Sequence, residues 1–560
     1  MFYQTTLRLG AKTLLAGVLM LTAYAAAIDI MPDSEMTGEL STEEEVYDLT
    51  LDEAQSLQID LTSEAFDAYL RLETDDGEII AEDDDGGNDL NSRMTTSELA
   101  PGDYRVVVTS FFGEGSGVYT LSIQTLGGPT QNVSSEGCDD PDAVVDFADD
   151  TLESIVQGEL GVSVVTCAEI QNLTSLSATF LDIRNLQGLE QATNLTTLDL
   201  SINYISDVTA LGSLDNLTRL DLSGNSISDV TALGGLSNLT RLGLGGNSIS
   251  DITALSDLSN LEELFLGGNP IGDITVLGGL SNLTSLGLGG NSISDVRALV
   301  TELSSLTNLT SLNLGGNSIS DVTALSDLSN LTSLGLGDNS ISDITALSDL
   351  SNLEELFLSD NSISDVTALG SLSNLKELNL GDNSISDVTA LGGLSNLEDL
   401  NLNDNSISDV TALGSLSSLT VLFLDDNSIS DVTGLGGLGN LEFLSLSGNS
   451  ISDVTGWGGL SNLTMLQLSS NSISDVTGLG SLSNLEQLFL AYNSISDVTA
   501  LGNLSNLTVL NLISNSISDV TALGDLSNLE RLVLDDNSIS DTNSLEVIQT
   551  LQDRGVDVSY

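Results

Sequence analysis

The 560-residue sequence contains no histidine. Histidine is the usual proton shuttle of catalytic sites and the commonest metal ligand in proteins. Its absence excludes Ser-His-Asp and Cys-His catalytic arrangements. Carboxylates can still act as acids and bases, so we predict a protein that is not an enzyme without excluding carboxylate catalysis.

Basic residues are also scarce. The chain has 12 Lys and Arg residues against 82 Asp and Glu residues, which gives a formal net charge of −70. Beyond residue 27, Lys376 is the only lysine. Because phosphate backbones are bound by clustered Lys and Arg, we expect no nucleic-acid partner, and an anionic membrane surface is disfavoured.

Cysteine is limited to Cys138 and Cys167. In an oxidising compartment, a pair of cysteines is more often a disulfide than a reactive site. We therefore predict a disulfide between Cys138 and Cys167, with two buried free thiols as the alternative.

Long apolar runs are almost absent, and the one at the N-terminus is short. Residues 13–21 follow the basic residues Arg8 and Lys12 and precede the small residues Ala25, Ala26 and Ala27. Such a run is too short to span a bilayer comfortably and is typical of a secretory signal peptide. We assign residues 1–27 to a signal peptide and expect a secreted or cell-surface bacterial protein without a transmembrane segment after cleavage.

What the sequence does contain is repetition. An asparagine recurs every 22 residues, apart from one step of 26 residues that holds an insertion around 300–303. Regular repetition at such a period is the signature of a solenoid. The sixteen asparagines are Asn203, Asn225, Asn247, Asn269, Asn291, Asn317, Asn339, Asn361, Asn383, Asn405, Asn427, Asn449, Asn471, Asn493, Asn515 and Asn537.

One repeat shows why the units must stack. Leu220 and Leu222 alternate with polar residues and predict a short strand, while Ile227, Val230 and Leu233 follow on the return path. A single unit cannot bury these side chains, but an array can. We also expect the repeated asparagine to bond turn backbone of its own and neighbouring coils, and the repeated aspartate, such as Asp229, to cap a helical turn.

The repeated pattern LxxLxLxxNxIxDVxxL resembles the leucine-rich repeats of the internalin family. It covers residues 173–541, the stretch 146–183 resembles the internalin N-terminal cap, and residues 138–172 are assigned to that cap. Residues 542–560 are interpreted as a C-terminal cap, with a helix at 545–551 and a strand at 555–558. The resemblance implies an α/β solenoid, the leucine-rich-repeat horseshoe, with a parallel β-sheet on its concave face.

Residues 36–125 differ in character from the repeats. Alternating segments such as 104–108 and 119–123 are separated by clusters of Asp and Gly, which predicts a small all-β sandwich. Segments 66–72, 81–87, 99–104 and 117–119 resemble the bacterial pre-peptidase C-terminal domain. That resemblance implies a secreted accessory module, and residues 126–137 are interpreted as the linker.

Two groups of residues are candidate sites. The acidic cluster Glu82, Asp83, Asp84 and Asp85 could hold calcium, which prefers six to eight oxygen ligands; the alternative is a solvated acidic turn. The repeat count also places larger side chains on the concave face as one partly apolar patch, edged by Asp360, Asp382, Asp404, Asp425 and Asp426. This candidate ligand-binding patch consists of Phe423, Phe443, Met465, Phe489, Tyr492 and Val509.

The function that follows is non-catalytic binding of a protein or glycan through the concave face, with no cofactor except possible calcium. Drift within a duplicated repeat array is the alternative origin of the apolar patch. Two other functions stay open at this point, an accessory protein of a secreted hydrolase and an acidic, calcium-binding component of an envelope or matrix.

Overall fold

A computed structural model describes residues 28–30, 34–40, 44–51, 56–63, 68–74, 79–83, 92–96, 99–110, 117–126, 138, 140–294 and 306–560. The chain divides into two compact units, Met1–Gly137 and Cys138–Tyr560. The predicted signal peptide, the insertion at 300–303 and the predicted linker after Leu126 lie outside the described residues. Within the described part, no helix is long and apolar enough to cross a membrane.

The described part of the first unit consists of β-strands. The strands are β1 Ile28–Ile30, β2 Ser34–Leu40, β3 Glu44–Leu51, β4 Ser56–Ser63, β5 Ala68–Thr74, β6 Ile79–Asp83, β7 Ser92–Thr95, β8 Gly102–Ser110 and β9 Gly117–Leu126. They form one sheet in the order β1-β3-β8-β5-β6 and another in the order β2-β9-β4-β7. The pairs are antiparallel except β1 with β3.

The two sheets share one hydrophobic core. Leu49, Leu70 and Val106 come from the first sheet, Ile59 and Leu121 come from the second, and all five are fully buried. Alternate residues of a strand point to opposite faces, so each sheet contributes one apolar face. The predicted all-β sandwich is confirmed. Its strands extend beyond the predicted range of residues, because β1 and the start of β2 precede residue 36.

The second unit is built on a parallel sheet of eighteen strands, counted over the described residues, and successive strands along the chain are neighbours. Each repeat strand has three residues. The strands are β10 Ser175–Ser177, β11 Thr197–Asp199, β12 Arg219–Asp221, β13 Arg241–Gly243, β14 Glu263–Phe265, β15 Ser285–Gly287, β16 Ser311–Asn313, β17 Ser333–Gly335, β18 Glu355–Phe357, β19 Glu377–Asn379, β20 Asp399–Asn401, β21 Val421–Phe423, β22 Phe443–Ser445, β23 Met465–Gln467, β24 Gln487–Phe489, β25 Val509–Asn511, β26 Arg531–Val533 and β27 Asp557–Ser559.

Between the two capped ends, the return path of each described coil is a 3₁₀ turn rather than an α-helix. Five residues such as Thr231–Gly235 leave room for little more than one helical turn. The described 3₁₀ turns are Leu189–Gln191, Thr209–Leu211, Thr231–Gly235, Thr253–Asp257, Thr275–Gly279, Thr323–Asp327, Thr345–Asp349, Thr367–Ser371, Thr389–Gly393, Thr411–Ser415, Thr433–Gly437, Trp457–Gly459, Thr477–Ser481, Thr499–Asn503 and Thr521–Asp525.

A single hydrophobic core runs through the coils of the second unit. In the coil of β12, Leu220, Leu222, Ile227, Val230 and Leu233 are all at most 2% exposed. The equivalent residues of neighbouring coils belong to the same cluster. Burying each leucine or isoleucine contributes about 1.5–3 kcal/mol before conformational entropy is subtracted. The predicted solenoid is therefore confirmed.

The repeated asparagine ties adjacent coils together. The Asn247 amide nitrogen donates to the carbonyl oxygens of Leu222 and Leu244, each at 3.0 Å. Its Oδ1 accepts the Ile227 amide at 2.9 Å. The expected bonding within a coil and between coils is confirmed. The repeated aspartate accepts the first amide of the following 3₁₀ turn, as Asp229 does from Thr231 at 2.8 Å, although it lies one residue before the N-cap position.

Both ends of the solenoid are covered. At the start, α1 Asp150–Leu160 and α2 Cys167–Ile170 add Leu152, Val156 and Ile170 to the continuous core. At the other end, α3 Thr542–Asp553 covers the last coil, and β27 pairs in parallel with β26. The predicted C-terminal helix and final strand are confirmed.

Candidate functional site

The exposed face of the repeat sheet carries two columns of side chains. In each strand from β10 to β26 the central leucine points into the core, so the residues before and after it point outward. In β21, Val421 and Phe423 are half-buried around the buried Leu422. Parallel register aligns each residue with its equivalent one coil away. We call the residues before the central leucine the first outward column and those after it the second outward column.

Three of the six predicted ligand-binding residues lie together. The register aligns Val421 with Phe443 and Phe443 with Met465. The rings of Phe423 and Phe443 touch, with their centroids 4.8 Å apart and their planes inclined at 47°. All four side chains are half-buried, so they share partly exposed apolar surface. We call Val421, Phe423, Phe443 and Met465 the apolar patch.

The other three predicted residues are separated from the apolar patch. Gln487 lies between Met465 and Val509 in the first outward column. Ser445 and Gln467 lie between Phe423 and Phe489 in the second. Tyr492 is 59% exposed and has a positive φ of 55°, in the turn after β24. The expectation of one continuous patch is not met within either column, because polar residues interrupt each column.

Ser445 is fully buried, although its position in the repeat predicts an outward side chain. Its hydroxyl lies 2.5 Å from Oδ1 of Asp425, which also accepts the Ser447 amide at 2.6 Å. Burial raises the pKa of Asp425, and the bonds from Ser445 and Ser447 counteract part of that rise. Asp425 is therefore hydrogen-bonded to Ser445 and Ser447 beside the apolar patch, and its carboxylate is not a free group at the edge of the patch.

An acidic row adjoins the apolar patch and was missed in reasoning from the sequence. It consists of Glu355, Glu377 and Asp399, which precede Val421 in the first outward column. Burial and the neighbouring carboxylates of Asp399 and Glu355 raise the pKa of Glu377, and burial raises that of Asp399. The same 22-residue count that located Phe443 could have found this row.

The predicted edge aspartates follow the strands in consecutive turns. Asp360, Asp382, Asp404 and Asp426 have φ between 50° and 54°, a backbone region that asparagine and aspartate tolerate better than most residues. Burial and the charges of Asp382 and Asp426 raise the pKa of Asp404. Negative charge is therefore concentrated along this edge of the sheet.

Near its N-terminal end, the outward face of the repeat sheet carries an ion pair and an arginine stacked on an aromatic ring. Arg241 forms an ion pair with Glu263, and its guanidinium lies 4.8 Å from the centre of the Phe265 ring. Glycine stands on both sides of Phe265 in the second outward column, at Gly243 and Gly287. Arg241 and Glu263 thus pair with each other, in contrast to Glu377 and Asp399 of the acidic row.

The other predicted sites have different outcomes. Cys138 and Cys167 form the predicted disulfide, which joins the start of the second unit to the first turn of α2. Of the candidate calcium ligands, Glu82 and Asp83 end β6, but their side chains, together with Asp84 and Asp85, lie outside the described residues. Within the part of the chain that is described, no group of three or more potential ligands is arranged for a metal ion.

Comparison with known protein families identifies the repeats. A family model described as Leucine Rich repeats (2 copies) matches overlapping segments from 215–258 to 483–524, more than half of the chain. No curated protein matches the sequence.

Solved structures resemble the repeat unit. A leucine-rich-repeat protein of Leptospira interrogans is 26% identical with a TM-score of 0.58, and the match covers 70% of this chain and 97% of that one. The plant peptide hormone receptor RGFR1, in complex with RGF2, is 25% identical with a TM-score of 0.57, over 70% and 71% of the two chains. The functional domain of InlJ from Listeria monocytogenes shares the fold at 22% identity and a TM-score of 0.51, over 69% and 80%.

Proposed function

Because this chain belongs to the leucine-rich repeat family, we propose that it is an exported, non-catalytic protein that binds a protein ligand on its concave sheet. The observation that carries the proposal is the apolar patch. Four half-buried apolar side chains from three consecutive coils meet on a surface that elsewhere presents many glycine, serine and charged residues. Contiguous exposed apolar groups on a soluble protein commonly mark an interaction surface.

The similarity to receptors supports a protein ligand over a glycan. RGFR1 was solved in complex with RGF2, and its repeats align with those of this chain at 25% identity. Aromatic and methionine side chains are also enriched where proteins meet proteins. A glycan ligand remains the alternative within the same proposal.

Export is supported by two features. The sequence begins with a basic and apolar segment that is typical of a signal peptide. Cys138 and Cys167 form a disulfide, and disulfides are rare in reducing compartments. Fractionation of the producing cells, with residues 1–27 present or deleted, tests this part. Retention of both forms inside the cell would contradict it.

The binding proposal is tested by capture from the producer's envelope and culture medium. Wild-type protein is compared with a Phe443→Asp/Met465→Asp variant and with Leu545→Asp, a control that changes an exposed leucine of α3. We expect one partner to be retained by wild type and by the control and to be lost from the double variant. Equal capture by all three would place binding elsewhere.

The acidic residues Glu82, Asp83, Asp84 and Asp85 keep their proposed calcium role as a separate hypothesis. Calcium bound only by the folded protein would raise its melting temperature in proportion to the logarithm of calcium concentration above the Kd. A melting temperature that does not change between chelator and millimolar calcium would argue against the site.

A further inference from the structure

The first outward column changes character abruptly along the solenoid. Glu355, Glu377 and Asp399 are followed directly by Val421, Phe443 and Met465, each pair of neighbours being aligned in the register. Six consecutive coils therefore present three carboxylates and then three apolar side chains, in one line across the sheet. A ligand lying along this line meets an acidic half and an apolar half.

Within the part of the chain that the structure describes, Lys376 offsets only part of the charge of the acidic half, because its largest interaction is with Glu354 and its interaction with Glu355 is smaller. Lys376, which lies beside the row, already donates to Oε2 of Glu354 at 2.6 Å. Among the described residues, Glu377 and Asp399 have no ion-pair partner, and Glu355 accepts a hydrogen bond from the Ser333 hydroxyl at 2.9 Å. Carboxylates about 5 Å apart repel one another, so a cation placed over them would be favoured.

Resting on the concave-face binding proposed above, we infer that the ligand is an extended polypeptide segment with lysine or arginine side chains over the acidic row and aromatic or aliphatic side chains over the apolar patch. Opposite charge at one end and apolar burial at the other fix its direction along the solenoid. Anionic glycans and nucleic acids would be repelled by the same carboxylates.

The spacing of the repeat strands determines the length of the bound polypeptide segment. Neighbouring parallel strands lie about 4.8 Å apart, so the five steps from Glu355 to Met465 span about 24 Å. An extended chain rises about 3.3 Å per residue, and about seven residues cover that distance. Every second side chain faces the sheet, which gives about four side chains in contact with the two halves.

The experiment uses selection from a displayed library of random 12-residue peptides. The baits are the full wild-type chain, a Glu355→Lys/Glu377→Lys/Asp399→Lys variant, and a control with Asp257→Lys/Asp327→Lys/Asp349→Lys. The control makes the same change in charge at the ends of three 3₁₀ turns, away from the sheet. It separates recognition by the acidic row from the general attraction of a protein with a net charge of −70 for cations.

Wild type and control are expected to enrich peptides with Lys or Arg on one side of an aromatic or aliphatic residue, within about seven positions. The sheet variant is expected to enrich Asp or Glu in place of the basic residues and to keep the apolar preference. For the best wild-type peptide, we expect affinity to fall at least about tenfold in the sheet variant and less than about threefold in the control.

Thermal unfolding establishes that each bait is folded. If the lysine variant does not fold, Glu355→Gln/Glu377→Gln/Asp399→Asn replaces it, and the basic preference is then expected to disappear rather than invert. Peptides without basic residues, no enriched peptide, or equal loss in sheet variant and control would each overturn the inference. The capture experiment with Phe443→Asp/Met465→Asp decides separately whether the concave-face proposal itself survives.

Discussion

The repeated asparagine shows how one residue type holds two coils together. The Asn247 side-chain amide donates to two carbonyl oxygens of adjacent coils and accepts one backbone amide, and the residue is only 9% exposed. A buried polar group left without its partner costs about 1–3 kcal/mol. Apolar replacement at this position would therefore leave the Ile227 amide without its partner, whereas the carbonyl oxygens of Leu222 and Leu244 would each keep a bond from Asn225 and Asn269.

We expect Asn247→Ala to lower the local free energy of unfolding by about 1–3 kcal/mol, since the buried Ile227 amide loses its partner and two carbonyl oxygens each lose one of two bonds. Hydrogen exchange of the Ile227 amide measures the effect directly, because this amide donates to Asn247. Asn238→Ala is the control, since Asn238 is exposed and makes one bond, to the Asp215 carbonyl oxygen at 2.8 Å. Similar loss of protection in both variants would contradict the assigned role.

Other residue positions show where reasoning from sequence stops. The 22-residue count predicted the asparagine bonds and placed Phe423 and Phe443 in adjacent coils, because register follows directly from the period. It could not predict that Ser445 is buried, since this depends on the side chains of Asp425 and Gln467 around it. Spacing determines which column a residue occupies, and neighbouring side chains determine its exposure.

At the scale of one coil, Trp457 changes the shape of the return path. It occupies the position of Leu435 and Leu479, is fully buried, and its Nε1 donates to the Val432 carbonyl oxygen at 3.1 Å. Its 3₁₀ turn has three residues, whereas the turns on both sides have five. Gly456 precedes it with φ of 87°, a conformation that glycine adopts without strain. The larger side chain is thus accommodated by the backbone.

This local rearrangement makes Gly478 sensitive to substitution. A Cβ atom at Gly478 would lie 2.1 Å from the Val454 carbonyl oxygen, so Gly478→Ala must displace backbone. We expect a destabilisation of about 1–3 kcal/mol, which is typical of overpacking. Trp457 is the only tryptophan, and its fluorescence during denaturation reports on this coil.

Gly458→Ala is the matched control for Gly478→Ala. A Cβ atom at Gly458 would meet nothing within 4 Å, so its transition midpoint should change little. An unchanged transition midpoint for Gly478→Ala would contradict the prediction, because the coil would then accommodate the added methyl group without loss of stability.

At the N-terminal end, the disulfide stabilises a cap rather than a repeat. Cys138 and Cys167 are 29 residues apart, and closing a loop of this size stabilises a folded unit by about 3–4 kcal/mol in the chain-entropy model. We expect Cys138→Ser/Cys167→Ser to increase hydrogen exchange in α1 and α2 and to leave the coils near β20 unchanged. Uniform loss of protection along the solenoid would contradict this local role.

At the scale of the whole molecule, the fold could be predicted from the sequence where one residue pattern is repeated many times. One apolar pattern, repeated many times, predicted stacked coils with a continuous core, and its resemblance to internalin repeats implied the parallel sheet and the N-terminal cap. The acidic row was missed because reasoning followed the aromatic positions and not the position of Glu355, Glu377 and Asp399 in every coil. The sandwich was predicted from alternation, and its resemblance to the pre-peptidase C-terminal domain stays a prediction.

Two sets of carboxyl groups in the solenoid have pKa shifts of opposite direction. Hydrogen bonds from the following threonine lower the pKa of turn aspartates such as Asp343 and Asp409. These groups stabilise the fold above their unfolded pKa, and that contribution is lost as the pH falls through their lower folded pKa. Burial, with neighbouring carboxylates, raises the pKa of Glu377 and Asp404. Their ionisation opposes folding, and this cost disappears as the pH falls through their higher folded pKa.

The melting temperature should therefore rise on acidification from pH 7, reach a maximum below it, and fall again once the turn aspartates are protonated below their ordinary pKa of about 3.9. Calorimetry between pH 7.5 and pH 2.5 measures the curve, and we expect the rise to be on the order of a few degrees. Glu377→Gln/Asp399→Asn should raise the melting temperature at pH 7 and flatten the rise, because both groups then carry no charge to lose. A melting temperature that falls steadily from pH 7 downward, with no difference between this variant and wild type, would contradict this prediction. It would mean that the carboxylates of the acidic row do not oppose folding. These carboxylates would then have no unbalanced charge to offer a cationic ligand.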